Sequence, residues 1–203
     1  MLKVRLDIDV EPDVLELYEL EVTAPRDDFE LEVARTVQVA KSGEVGAVSR
    51  ARELYRRFGL DPTRIRPSSE ALLRRLKKGE PLPRINSLVD LANALSVQLQ
   101  VPVGLYDLDK VKGEELVIRL GAKGEGYTGI GKEHVNVAGR ICVADADGPC
   151  GNPSADSART MITTETQRAA WIYFLPIRNE DIDRTAELIA VFGRGLIRMV
   201  ATV

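Results

Sequence analysis

The sequence RINSLVDLANALSVQLQVPVGLYDLDKVKG, residues 84–113, joins an amphipathic helix to an acidic turn, and the rest of the chain is interpreted outward from it. Asn86 or Ser87 can accept hydrogen bonds from the free amides at the start of this helix, and Pro102 and Gly104 are expected to end it. We expect a loop to follow. The apolar residues that recur at helical spacing, and so predict a buried face, are Leu88, Leu91, Ala92, Leu95 and Leu99.

Three polar side chains lie near one face of the predicted helix. Asn86, Asp90 and Asn93 are separated by four and then three residues, a spacing that places them side by side. They can converge on a ligand. In a simpler interpretation, one of them caps the helix and the other two are hydrated, and the pattern alone does not choose between these two.

Length and composition limit the class of protein. The 203 residues include no linker and no apolar run of membrane-spanning length, so we expect one domain over residues 1–203 and no membrane partner. The start, MLKVRLDIDV, alternates like a strand and lacks the apolar run of a signal peptide. Cys142 and Cys150 lack CxxC spacing, and two thiols in a chain of this size are typical of a reducing cytoplasm.

Basic charge is concentrated in one segment, although the net charge is −3. Residues 50–84 carry 11 Lys and Arg against 4 Asp and Glu. Residues 1–49 carry 5 against 12, and residues 85–203 carry 12 against 15. Such a cluster indicates either a phosphate-binding face or a hydrated helix surface.

The basic segment RPSSEALLRRLKKGEPLP, residues 66–83, predicts a helix capped by Ser68 or Ser69. Ala71, Leu72 and Leu76 are expected to face inward. Basic side chains on this helix, or in the extended stretch before it, are Arg64, Arg66, Arg74, Arg75, Lys77 and Lys78.

The remaining pattern alternates between strands and helices. Strands are predicted at residues 2–10, 116–120 and 171–176, with a further apolar segment at 20–24. Helices are predicted at residues 29–40, ended by Gly43, at 45–58, and from Asn179 onward.

A glycine-rich segment nearly matches two phosphate-binding motifs. GxGxxG occurs at residues 124–129, and GxxxxGK at 126–132 is followed by Glu133 where a hydroxyl is needed for magnesium. The next segment, HVNVAGRICVAD, alternates like a pair of strands, whereas both motifs require a helix there. We therefore interpret the glycines as turns of a hairpin. His134, the only histidine, has no cluster at metal spacing, so neither a metal nor a cofactor is predicted.

The segment DADGPCGNPSADSART, residues 145–160, is predicted to be a long polar loop. Small polar groups on such a loop can place several donors around a ligand. The alternative is an ordinary structured turn.

Taken together, these residues resemble the editing domain of the bacterial phenylalanyl-tRNA synthetase beta subunit, its third and fourth modules, and more closely the free-standing proteins built from that domain alone. Residues 66–83 resemble the free-standing proteins specifically. The resemblance implies an α+β domain in three layers, a β-sandwich of unusual topology flanked by helices. The residues that carry it are Ile85, Asn86, Val89, Asp90, Asn93, Pro102, residues 106–110, Gly113, residues 117–119, Gly124, Glu125, Ala144, Asp145, Asp156, Ser157 and residues 173–176.

The resemblance also implies hydrolysis, in trans, of the ester between a wrong amino acid and a tRNA, with the aminoacylated 3′ end of the tRNA as partner. Residues expected to carry catalysis are Asn93, Asp156, Ser157 and Thr160. Residues expected to border the amino acid are Asn86, Asp90, Gly104 and Ala170. Residues expected to bind tRNA phosphates are Arg64, Arg66, Arg74, Arg75, Lys78 and Arg159.

Three departures from the family pattern bear on the substrate. Gly104 stands where the synthetase members have a histidine, and Ala170 stands where they have a glutamate that reads the tyrosine hydroxyl. GNPSADSART, residues 151–160, replaces a Gly-Gly loop. Tyrosine is therefore not assigned as the substrate, and a non-catalytic module that binds tRNA or an amino acid is the alternative. The oligomeric state is left open.

Overall fold

The computed structural model describes residues 1–42 and 48–203. The predicted helix stop at Gly43 and the predicted helix start at Val45 lie outside this part of the chain. Within it, no helix is long and apolar enough to cross a membrane. The helices are α1 (Glu30–Ser42), α2 (Val48–Arg57), α3 (Ser68–Lys77), α4 (Ser87–Leu99) and α5 (Asn179–Phe192).

The strands form two sheets and a separate hairpin. In the five-stranded sheet the order is β1-β4-β7-β8-β9, with β1 parallel to β4, and in the four-stranded sheet it is β11-β2-β10-β3. The hairpin is made of β5 and β6. The strands are β1 (Lys3–Leu6), β2 (Asp13–Tyr18), β3 (Val103–Asp107), β4 (Glu115–Leu120), β5 (Gly126–Gly129), β6 (Lys132–Asn136), β7 (Ile141–Asp145), β8 (Gly148–Asn152), β9 (Ala155–Asp156), β10 (Ala169–Tyr173) and β11 (Leu196–Met199).

Strand β10 shows how the layers are stacked, because its side chains alternate between two cores. Ala170 and Ile172 pack between the two sheets, in a core that includes Ile118 of β4. Trp171 and Tyr173 pack on the opposite face, among apolar residues of α4 and α5. The protein is therefore α+β in three layers, with two sheets packed as a sandwich and helices covering the four-stranded sheet, as expected.

Helix α4 lies at the centre of the helical layer. Asn86 caps it, because the Oδ1 of Asn86 accepts a hydrogen bond from the Val89 amide at 2.9 Å. The helix ends where Gln100 adopts a left-handed conformation with φ of 54°, before the Pro102 expected to stop it. The residues that follow form strand β3 instead of the predicted loop, because their alternate side chains are buried in both cores.

Three other predictions from local pattern were wrong in detail. The second strand, β2, precedes the apolar segment at residues 20–24. Strands β6 and β7 do not pair with each other, since β6 pairs with β5 and β7 lies between β4 and β8. The loop predicted at residues 145–160 contains β8 and β9. Alternation reveals a strand but not its partner, and backbone pairing overrides the weak strand propensity of glycine and proline in β8.

Helix α3 begins differently from the prediction. Pro67 occupies the capping position, and in the described part of the chain the hydroxyls of Ser68 and Ser69 have no hydrogen-bond partner. Leu73 and Leu76 are buried, whereas Ala71 is exposed. The inward face is therefore rotated from the predicted stripe, because it follows the spacing of Ser69, Leu73 and Leu76.

Candidate functional site

A cleft opens where the edge strands of the two sheets come together. Strand β3 is the edge of one sheet and β9 the edge of the other, while α4 and the first turns of α3 complete the walls. The cleft has two lobes, with volumes of about 120 Å³ and about 110 Å³. Residues shared by both lobes are Ala92, Asn93, Val103 and Asp156.

Asn93 projects from α4 into this cleft. The residue is half-buried, and within residues 1–42 and 48–203 its side-chain amide has no hydrogen-bond partner. A carboxamide offers two donor hydrogens and an acceptor oxygen. Asn93 is therefore available to bind a polar group that enters the cleft.

Asp156, from β9, faces Asn93 across the cleft. Its Oδ2 accepts a long hydrogen bond, 3.4 Å, from the amide of Leu105. Its Oδ1 is closed to solvent and has no hydrogen-bond partner among the described residues. Burial raises the pKa of this carboxyl to about 7, against the lowering effect of the Leu105 amide and the nearby Tyr106 hydroxyl. Both protonation states are therefore populated near neutral pH, so the carboxyl can take up or release a proton.

Tyr106 underlies the cleft and explains two of the departures from the family pattern. Its ring is fully buried, and a Cβ atom added to Gly104 or to Gly151 would lie 2.5 Å from the Tyr106 hydroxyl oxygen. Ala170 lies beside the ring, as its partner across β3 and β10. Gly104 and Ala170 therefore line the interior of the sandwich and not the cleft, which corrects the expectation that they border a bound amino acid.

Strand β3 directs backbone donors toward the cleft side. The Leu105 amide donates to Asp156, and the Asp107 amide donates to the carbonyl of Thr160 at 2.9 Å. Backbone groups alternate in direction along an edge strand, so the Val103 amide points to the same side. Because Val103 lines both lobes, as Asn93 and Asp156 do, its N–H is a backbone donor expected to face the cleft.

Asn86 and Asp90 do not line the cleft, which corrects the expectation that they bind an amino acid. Besides capping α4, Asn86 donates from its Nδ2 to the carbonyl of Ile162 at 3.3 Å. Both oxygens of Asp90 are occupied, one by the Nε of Arg84 at 2.8 Å and the other by the amide of Ile85 at 2.7 Å. The two side chains are buried and hold the start of the helix in place.

Ser157, Thr160 and Arg159 also have structural partners. The Ser157 hydroxyl accepts from the Arg159 amide at 3.1 Å, and the Thr160 hydroxyl donates to the carbonyl of Cys150 at 3.3 Å. The Arg159 guanidinium binds both oxygens of the buried Asp145 at 2.8 Å. These contacts hold the segment behind β9 in place, and the catalytic roles of Ser157 and Thr160 and the phosphate-binding role of Arg159 stay predictions.

Helix α3 brings part of the basic segment to the rim of the cleft. Ser68 and Leu72, from its first turns, line one lobe. Arg74, Lys77 and Lys78 are exposed farther along the helix and form no salt bridge with another described residue. Helix α3 therefore presents unpaired positive charge close to the opening.

The other residues in the range 64–78 that were expected to bind phosphate are paired. Arg64 is exposed and lies 3.7 Å from a carboxylate oxygen of Asp61. Arg66 lies 3.4 Å from the buried Glu70, which also binds Arg52. The Arg75 guanidinium lies 3.2 Å from Glu80. Of these, Arg64 is the most accessible to a phosphate, because its side chain is largely in solvent.

Some residues that line the cleft were not singled out from the sequence. Ser68 was interpreted as a helix cap, although its buried hydroxyl lies in the wall of the cleft. Ile130 and Met161 border the other lobe and are exposed. The sequence did offer a signal for Ile130 and Met161, because each is a large apolar side chain in an otherwise polar turn. Exposed apolar groups that cluster mark binding surfaces.

A larger and more open cavity, of about 460 Å³, lies beside Met1 and the turn before β4. Its charged residues are paired: Lys3 with Glu114 at 3.9 Å, and Arg168 with Glu16 at 3.2 Å. The cleft, by contrast, combines buried polar atoms that have no partner in the described chain with a carboxyl of raised pKa. Perturbed groups of this kind mark functional sites, so we take the cleft as the candidate site.

Comparison with known proteins places these residues in a wider group. The B3/4 domain family matches residues 50–191. The phenylalanine–tRNA ligase beta subunit of Protochlamydia amoebophila is 30% identical over 69 residues, which are 34% of this chain and 9% of that protein. That of Symbiobacterium thermophilum is 31% identical over 87 residues, which are 42% of this chain and 10% of that protein. That of Anaeromyxobacter dehalogenans is 33% identical over 89 residues, 43% of this chain and 11% of that protein. The matches thus span about a tenth of the length of these relatives.

A solved structure is also similar. It is an N-terminal fragment of the phenylalanyl-tRNA synthetase beta subunit from Pyrococcus horikoshii, matched with a TM-score of 0.47 and 15% sequence identity. The match covers 100% of this chain and 52% of the fragment.

Proposed function

The chain belongs to the B3/4 domain family, as its sequence predicted, and from that membership we propose that it hydrolyses the ester bond of mischarged aminoacyl-tRNA. Its relatives are named as ligases that join phenylalanine to tRNA, so an aminoacylated tRNA is the substrate that this relation suggests. The observation that carries the proposal is that Asn93 and Asp156 line one cleft, Asn93 with a side-chain amide that no other described residue binds and Asp156 with a carboxyl whose pKa is raised to about 7.

An aminoacyl ester is already activated, so its hydrolysis needs mainly a positioned water, a donor for the developing oxyanion and an anchor for the ammonium group. Asp156 is the proposed base. Its carboxylate accepts a proton from water as the water oxygen attacks the ester carbonyl carbon. The ester C–O bond then breaks, the amino acid leaves as a carboxylic acid, and the ribose oxygen takes the proton from Asp156. A pKa of about 7 suits a group that must both accept and return a proton near neutral pH.

The other two groups at the centre of the cleft serve binding. The amide of Val103, on the cleft side of β3, donates to the carbonyl oxygen of the ester as negative charge develops on that oxygen. The Oδ1 of Asn93 accepts a hydrogen bond from the ammonium group of the amino acid. Both lie on regular secondary structure, which fixes their positions before substrate arrives.

The exposed face of α3 binds the acceptor end of the tRNA in this proposal. Arg74, Lys77 and Lys78 supply exposed positive charge along and just after α3, and Arg64 adds an exposed guanidinium from the segment before it. Phosphate contacts provide most sequence-independent affinity for nucleic acids and weaken steeply with salt. Turnover of aminoacyl-tRNA at low substrate concentration is therefore expected to fall as salt rises, and less steeply for Arg74→Ala.

The proposal is tested by incubating the purified chain with a panel of mischarged tRNAs and measuring released amino acid. Asp156→Asn is expected to lower kcat by about a hundredfold or more, the usual contribution of a positioned proton-transfer group, and Asn93→Ala is expected to lower kcat/KM because the ammonium group loses its anchor. Asn179→Ala and Asp183→Asn, exposed on α5 away from the cleft, are matched controls. Unchanged turnover in both cleft variants, with both folded, contradicts the proposed roles.

A second candidate is a module that binds aminoacyl-tRNA without hydrolysing it. The observation that favours it is that Gly104 and Ala170 stand where the resemblance leads us to expect a histidine and a glutamate. Both small residues lie against the buried ring of Tyr106, which leaves no room for the larger side chains. The same assay separates the two candidates. Saturable binding of every tRNA in the panel with no released amino acid selects the binding module.

A further inference from the structure

The two lobes of the cleft differ in chemistry. One lobe, here called the polar lobe, is bordered by Ser68, Ser96, Asn152 and Ser154. The other, the apolar lobe, is bordered by Ile85, Val89, Leu105, Ile130, Met161 and Ile162. Among the described residues that line the apolar lobe, Asn93 and Asp156 are the only ones with polar side chains, and both lie at the junction with the polar lobe.

We propose that the apolar lobe binds the side chain of the amino acid and that this side chain is aliphatic. The inference rests on the proposed function and names its substrate class. With an aliphatic side chain in the apolar lobe, the ammonium group and the ester lie at the junction, within reach of Asn93, Asp156 and the Val103 amide. The ribose then extends into the polar lobe, which opens beside α3.

The size of the apolar lobe supports an aliphatic occupant. Its volume is about 120 Å³. An apolar cavity of about 150 Å³ is known to hold a benzene molecule, so this lobe is smaller than the space in which an aromatic ring is known to fit. A hydroxyl group placed there finds no donor or acceptor side chain beyond the junction, and burying a polar group without a partner is costly. Phenylalanine, tyrosine and serine are therefore disfavoured by size or by polarity.

The rim of the apolar lobe supports the same conclusion. Ile85, Ile130 and Met161 are 53%, 49% and 38% exposed. They come from three separate segments: the residues before α4, the turn between β5 and β6, and the segment after β9. Exposed apolar groups that converge from distant segments around one cavity are typical of a ligand site. An aliphatic side chain seated in the lobe removes this apolar surface from water.

The inference is tested with one tRNA charged in turn with valine, isoleucine, leucine, methionine, alanine, serine and tyrosine. The kcat/KM values for valine, isoleucine, leucine and methionine are expected to exceed those for alanine, serine and tyrosine by at least about tenfold, the low end of discrimination by a hydrophobic pocket. Met161→Ala and Ile130→Ala are expected to lower kcat/KM for leucine and leave that for alanine unchanged. Leu31→Ala, which removes an exposed leucine from α1, is the matched control and changes neither.

The outcomes separate the inference from the proposed function. If all aminoacyl-tRNAs are hydrolysed at similar rates, or serine or tyrosine is preferred, the chain is a deacylase but the aliphatic assignment is wrong. If none is hydrolysed, the proposed function is wrong, and binding of leucinamide, serinamide and tyrosinamide, followed by chemical-shift changes, decides the inference. Tighter binding of leucinamide, lost in Met161→Ala, supports the apolar lobe, and equal binding of the three amides overturns it.

Discussion

Replacing Gly104 by alanine tests whether the buried ring of Tyr106 is the reason that a glycine stands here. Gly104 and Tyr106 lie two residues apart on β3, so their side chains share a face of the sheet. A Cβ atom on Gly104 would lie 2.5 Å from the Tyr106 hydroxyl oxygen and 3.0 Å from two ring carbons. Movement of the ring away from Gly104 is limited, because on its other edge the ring approaches Gly151 so closely that a Cβ atom added there would also lie 2.5 Å from it.

The expected loss of stability follows from this double contact. Forcing extra atoms into a packed core costs about 1–3 kcal/mol. Alanine itself regains about 0.5–1 kcal/mol over glycine within a strand, because it loses less conformational freedom on folding. Because the ring is confined on both edges, we take the upper end of the packing cost, about 3 kcal/mol, so that after the gain from alanine Gly104→Ala lowers the free energy of unfolding by about 2 kcal/mol.

Urea unfolding of a double-mutant cycle provides the measurement. Tyr106→Leu removes the ring, so Gly104→Ala made in that variant is expected to be neutral or stabilising, with a coupling of about 2 kcal/mol between the two positions. A Gly104→Ala protein as stable as the wild type, or one equally destabilised with and without the ring, refutes the reasoning. By the same argument, a histidine at this position requires that the tyrosine be replaced as well.

Three further predictions concern stability. The fold favours the protonated form of Asp156, whose pKa is raised to about 7, so the stability of the wild type is expected to decline as pH rises from about 4 through 7. Asp156→Asn is expected to lack this decline. Urea unfolding of both proteins at about pH 5 and pH 8 tests this, and a stability difference between them that does not depend on pH contradicts it. Arg159→Ala leaves Asp145 buried without its counter-charge and is expected to cost about 3–5 kcal/mol, against less than about 0.5 kcal/mol for the exposed control Arg74→Ala. Asn86→Ala removes a helix cap and is expected to cost about 1 kcal/mol by thermal unfolding, whereas Asn86→Ser keeps most of it; equal losses contradict a capping role.

The elements that were predicted correctly depend on local signals. Helix α4 follows from its apolar spacing and a capping side chain, both of which lie within a few residues of each other. Strand β3 was predicted as a loop because Pro102 and Gly104 are turn formers. Its extended form depends on burial in two cores and on pairing with β10, which is far away in the sequence. Long-range pairing of this kind overrides local propensity.

The candidate site was predictable only in part for the same reason. Helical spacing placed Asn86, Asp90 and Asn93 on one face, but it could not show that the first two bind backbone amides and an arginine at the helix start. Asp156 and Asn93 were chosen from a resemblance, and the structure brings them to the same cleft. The apolar lobe left no periodic signal, because its lining comes from separate turns and strands.

The position of the cleft has a consequence for self-association. An uncovered sheet edge is a template on which strands of other molecules can polymerise. In this protein the edge amides of Leu105 and Asp107 are engaged by Asp156 and by the carbonyl of Thr160. The short segment that carries Asp156 therefore protects the edge of β3 from pairing with other molecules. Mutations that detach this segment are expected to cause aggregation as well as loss of activity.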